Sequence, residues 1–85
     1  MVIKIFGFGC EKYKAILNIV KSVIAETKLN VQLEEITDFR AIMLAGVIAT
    51  PAISIDGNLV CIDRIPEKSE LLNWILLNNN PHTAS

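Results

Sequence analysis

The residues of this chain that could do chemistry fall in one stretch, Phe6-Gly7-Phe8-Gly9-Cys10-Glu11-Lys12-Tyr13. An apolar strand runs out there, two glycines turn the chain, and Cys10 opens an amphipathic helix. A cysteine at a helix start lies among unpaired backbone N–H groups and at the positive end of the helix dipole, and both favour a thiolate over a thiol. The chemistry on offer is that of a nucleophilic sulfur. Three residues on, at the spacing where a second thiol would complete a dithiol pair, stands Tyr13.

Other chemistries find little support. Cys61 and Cys10 are the only cysteines and His82 the only histidine, so no metal-ligand spacing exists and no disulfide framework can be drawn. Soft-metal capture by Cys10 alone lacks any supporting ligand cluster. The net charge is −1 and no two Lys or Arg residues are adjacent, which removes the basic footprint of a nucleic-acid or anionic-membrane binder. No apolar run approaches the roughly 18–20 residues of a bilayer span. Met1-Val2-Ile3-Lys4-Ile5-Phe6 has no charged segment ahead of an apolar one and reads as a strand rather than a leader, so the expected location is the cytoplasm, where both thiols stay reduced.

The elements that must position Cys10 follow from the apolar periodicity. Val2 to Phe6 is a mostly buried strand. Ile16, Leu17, Val20, Val23 and Ile24 share one face of a helix predicted over about residues 10–28. Val31 to Ile36 alternates and reads as an edge strand with one wet face. Thr37 or Asp38 caps a short helix with Phe39, Ile42 and Met43 on one stripe, and Gly46 supplies its left-handed end. Asp56-Gly57-Asn58 is a tight-turn signature between Ala52-Ile53-Ser54-Ile55 and Leu59-Val60-Cys61-Ile62-Asp63, which predicts a β-hairpin. Pro66 is expected to open the last helix, with Glu67 and Glu70 complementing its dipole. In that helix Leu71, Trp74 and Ile75 form the buried stripe, and Leu76, about 140° from Leu71, cannot share it. Either the helix is covered on two sides or it carries an exposed patch, which raises homodimerisation through this helix as an expectation. The order βαβαββα implies one α/β domain over residues 1–78, a mixed four-stranded sheet with helices on both faces, and a polar tail at 79–85.

The strand–Gly-x-Gly-Cys–helix opening, Gly46-Val47-x-x-Thr50-Pro51-Ala52 before a strand, Ile55-Asp56-Gly57 at the hairpin and Arg64-Ile65-Pro66 before the last helix together resemble the small, glutaredoxin-like members of the thioredoxin superfamily, the redox-active disulfide type. The resemblance covers residues 1–78 and implies a thioredoxin-like fold. It places Cys10 at the position that attacks a disulfide, with Gly9 and Tyr13 in its environment. It also places Thr50-Pro51 in the family's cis-proline loop, which offers backbone groups to the partner chain, and makes Phe8 a candidate partner contact.

Tyr13 departs from the family pattern, because the second cysteine normally resolves the mixed disulfide. The resemblance then implies a monothiol cycle, without a bound cofactor, acting on protein or low-molecular-weight disulfides, with glutathione as a co-substrate for release. The alternative is a degenerate thioredoxin-fold binding or scaffold module, in which Cys10 is a small packed hydrophobe. Two readings stand for Tyr13: its ring packs where a resolving thiol would sit, or its hydroxyl donates to Cys10. Cys61, in mid-strand, reads as a packed thiol. Asp63 stands where glycine is usual before Arg64 in the family, which puts family-like contacts at that end of the hairpin in doubt.

Overall fold

The computed structural model describes residues 1–78, and the expected tail with His82 lies outside the described residues. β1 (Val2–Phe6) leads through Gly7–Cys10 into α1 (Glu11–Thr27), which returns the chain to β2 (Gln32–Ile36). α2 (Phe39–Leu44) follows, then β3 (Ala52–Ile55), β4 (Asn58–Ile62) and α3 (Lys68–Asn78). The sheet order is β2-β1-β3-β4, with β1 parallel to β2 and antiparallel to β3, and β3 antiparallel to β4. This is the mixed four-stranded α/β sheet of a thioredoxin-like fold, with the alternating strand at the edge as its wet face predicts.

Alternation along β1 and β3 sends Ile3, Ile5, Ile53 and Ile55 to one face, where α1 contributes Tyr13, Ile16, Val20 and Val23 and α3 contributes Leu71 and Ile75. These four isoleucines are fully buried, each worth roughly 1.5–3 kcal/mol over exposure, so this face holds most of the hydrophobic stabilisation. The opposite face carries a smaller cluster in which Ile42 of α2 and Val47 cover Phe6 and Ala52. One register shift interrupts β3–β4 between Ile53, opposite Cys61, and Ser54, opposite Leu59. Val60 is the extra residue of that bulge.

The hairpin turn has Asp56 at φ 48° and Gly57 at φ 86°, two successive left-handed residues, as the Asp-Gly pair predicts. Asp38, not Thr37, caps α2: its carboxylate accepts from the Ala41 N–H at 2.9 Å. Three expectations need correction. Pro66 lies before the last helix rather than in its first turn, because Glu67 is where helical bonding begins. Its carbonyl accepts from the Leu71 N–H, and its own N–H donates to the Glu70 carboxylate at 3.0 Å, half of a capping box. The α2 stripe is not buried: Ile42 is, but Phe39 and Met43 are exposed, since a six-residue helix covers only one end of its sheet face. Trp74 is only partly buried, beneath the Arg64 guanidinium at 5.8 Å from the ring centre, while Leu76 and Leu77 are exposed.

Candidate functional site

Cys10 sits at the boundary that its neighbours enforce. Gly7 closes the strand by donating its N–H to the Ile36 carbonyl at 3.1 Å. Gly9 then turns the chain at φ 82°, a conformation that costs glycine nothing and most other residues a good deal. Cys10 follows in extended conformation as the N-cap of α1, its carbonyl accepting from Lys14 N–H at 3.0 Å and its side chain exposed. No side chain caps this helix end. The first-turn N–H groups of this 17-residue helix are therefore not taken up by any capping side chain, and Cys10 stands at the positive end of its dipole.

The Thr50–Pro51 peptide bond is cis and Pro51 is fully buried. Phe6 pairs with Ala52 across β1 and β3, so the loop that ends in Pro51 and the turn that leads to Cys10 leave adjacent strands at the same end of the sheet. Asp63 connects the two. Its N–H donates to the Pro51 carbonyl at 2.7 Å, and its carboxylate accepts from the Lys12 ammonium at 3.4 Å. Asp63 adopts φ 55°, the left-handed conformation that glycine takes readily, and its side chain ties the first turn of α1 to the proline loop. Lys12 accordingly serves this rim contact.

Tyr13 is buried, and its hydroxyl donates to Glu35 Oε1 on β2 at 2.7 Å. The bond to Cys10 is therefore not formed, because β2 presents a carboxylate within reach on the side of the sheet that the ring faces. Burial first, and the Glu35 bond second, push the Tyr13 phenol up from its ordinary value, so it stays protonated. The ring also explains Gly7, whose role sequence reasoning missed. A Cβ on Gly7 would come within 2.5 Å of Tyr13 Cδ2, so glycine here makes room for tyrosine rather than for a turn. An aromatic six residues after a strand-ending glycine is the only sequence signal of that pairing.

Phe8 is 57% exposed, its ring centre 6.5 Å from that of Phe39, also exposed. Ile48, two residues before Thr50, is 90% exposed. The end of the sheet that holds Cys10 thus has apolar side chains facing solvent on more than one element. Cys61 lies elsewhere, packed in the core between sheet and helices, its Sγ donating to the Arg64 carbonyl at 3.4 Å. Burial pushes the Cys61 thiol up, so it is held as the unreactive form. Among the described residues no cluster of His, Cys, Asp and Glu could hold a metal ion, and no helix is long and apolar enough to cross a membrane.

Comparison with known proteins agrees with this fold. The family model described as a thioredoxin domain matches residues 1–76. A thioredoxin of Methanothermobacter thermautotrophicus is 28% identical over 71 residues, covering 84% of this chain and 92% of its own length. A thioredoxin of Methanocaldococcus jannaschii is 31% identical over 71 residues, covering 84% of this chain and 81% of its own.

Proposed function

The chain belongs to the thioredoxin-domain family, and on that premise we propose that it carries out thiol–disulfide exchange through Cys10 alone. The observation that carries the reading is an exposed cysteine at an uncapped helix N-terminus, beside a proline loop that is tied to the same helix through Asp63. The Cys10 thiolate attacks one sulfur of a disulfide R–S–S–R′, forms the mixed disulfide Cys10–S–S–R and expels R′–S⁻. Tyr13 occupies the resolving position and brings no sulfur, so release needs a second thiolate from solution. A thiol such as glutathione attacks the R sulfur, which returns the Cys10 thiolate and leaves a disulfide between R and glutathione. Cys61 takes no part, being held in the core by its bond to the Arg64 carbonyl.

The partner in this reading is a protein disulfide, seated against Phe8 and the Thr50-Pro51 loop in the cytoplasm. Exposed Leu76 and Leu77 on α3 support a homodimer through that helix, and Phe8, Phe39 and Ile48 favour a second reading, a docking module without turnover. One experiment separates exchange from docking. After incubation with oxidised glutathione, intact mass and peptide mapping should show one glutathionyl group, on Cys10, removable by added reduced thiol. A chain that gains none under native conditions, yet is modified once unfolded, would leave the docking module as the function.

A further inference from the structure

The sheet face turned away from α1 and α3 carries, by register, the row Glu34, Lys4, Ser54, Leu59 across all four strands. The apolar cluster under α2 includes Phe6 and Ala52 but stops short of this row. There a recess of about 210 Å³ opens, lined by Lys4, Phe6, Ala45, Ser54, Gly57 and Leu59. Ser54 is 5% exposed, the only buried polar residue of the core among the described residues, and its hydroxyl, unpaired with any of them, is open to solvent in the recess rather than sealed off. The Lys4 ammonium likewise has no ion pair among the described residues. Its row neighbour Glu34 accepts instead from the Gln32 amide at 2.7 Å. Two adjacent donors therefore face a partly apolar recess in which nothing accepts from them. Ser54 stands at the register shift between β3 and β4, and such bulges re-aim side chains where a sheet meets a ligand.

We propose that this recess binds a small organic carboxylate. Its oxygens accept from Lys4 Nζ and Ser54 Oγ, and a short aliphatic or aromatic body lies against Phe6 and Leu59. The size sets the class, because 210 Å³ is below the roughly 300–1,000 Å³ of sites for drug-sized ligands. The charge does too: one ammonium balances one carboxylate, whereas a phosphate dianion would bring a second charge with no counter-ion. The site is separate from Cys10 and does not depend on thiol exchange.

Benzoate titrated into the isotope-labelled native chain, followed by amide chemical shifts, tests it. Saturable shifts should centre on Lys4, Ser54, Gly57 and Leu59, with neutral benzamide and phenyl phosphate each at least about tenfold weaker. Lys4→Met should weaken benzoate at least about tenfold and Ser54→Ala several-fold, with the remaining spectrum unchanged. No saturable shift at those amides, or equal responses to benzoate and benzamide, would overturn the proposal. That pair of probes uses the native chain, so the outcome stands even where a variant does not fold.

Discussion

The two cysteines of this chain are the same functional group placed in opposite circumstances. Cys10 is exposed and precedes a helix, while Cys61 is 4% exposed, pairs across β3–β4 with Ile53 and donates a hydrogen bond to a backbone carbonyl. Reactivity of a thiol depends on access and on whether the thiolate is tolerated. The contrast teaches that position in the fold, rather than cysteine content, separates an accessible thiol from a core filler.

The contrast breaks most completely if the wrong sulfur is removed. Cys10→Ser should abolish the mixed disulfide with oxidised glutathione, and Cys61→Ser should leave it intact, both read by intact mass. An adduct surviving in the Cys10→Ser chain would transfer the chemistry to Cys61. Next in size is the labelling ratio. Native iodoacetamide should modify Cys10 at least about 10³-fold faster than Cys61, because a buried thiol reacts only through opening of the fold, and denaturant should erase the difference. Peptide-resolved mass spectrometry measures both rates at once.

Gly7→Ala sharpens the comparison further. The new methyl meets the Tyr13 ring, and overpacking of this kind costs about 1–3 kcal/mol. Urea unfolding should show that loss, and Cys61 labelling should accelerate in proportion while Cys10 labelling stays constant. If Cys61 stays equally protected, the Gly7–Tyr13 contact is not part of the core that shields it.

The smallest effects lie in pH. Glu70 is held at about 2 by the Arg64 guanidinium, with the Glu67 N–H adding to it, below its ordinary 4.5. A lowered carboxylate contributes stability that is complete above the unfolded value and lost as pH falls from about 4.5 towards 2. The pair is exposed, so the contribution is modest. Glu70→Gln should flatten acid unfolding in that window, and in the native chain Cys61 protection should relax there because Arg64 supplies its acceptor. Tyr13 and Cys61 act in the opposite direction. Both are raised by burial, so their share of stability is complete below their ordinary values of 10.0 and 9.0 and is lost as pH rises beyond them. Tyr13 is the sole tyrosine, so phenolate absorbance should appear only together with alkaline unfolding.

Much of the scaffold was legible in the residues themselves. Alternation in Val2–Phe6 and Ala52–Ile55, the Asp56-Gly57 turn and the helical stripe from Ile16 to Val23 each encode a local geometry, and local geometry is what sequence spacing records. The position of Cys10 at a helix start followed from the same signals. What spacing does not record is how far a neighbouring element reaches. The periodicity of Phe39, Ile42 and Met43 is helical, but burial of that stripe required a longer α2 than the six residues formed. The Tyr13 partner was hidden for a similar reason: Glu35 comes within 2.7 Å only through the parallel register of β2 beside β1, which no single segment specifies. Asp63 stood out as a departure from the family pattern, yet its bonds to Lys12 and Pro51 join two separate segments that both lie well before it in the chain.

The place of β1 in the sheet bears on how the chain is made. Val2–Phe6 is synthesised before both of its sheet partners but lies second in the strand order, with one edge satisfied by Gln32–Ile36 and the other by Ala52–Ile55. At roughly 5–20 residues per second, its second edge waits on the order of seconds after the strand is made. During that interval a strand rich in isoleucine has an open hydrogen-bonding edge, the condition that invites pairing with another chain. A ribosome-associated chaperone that covers nascent strands would have its clearest target in this strand.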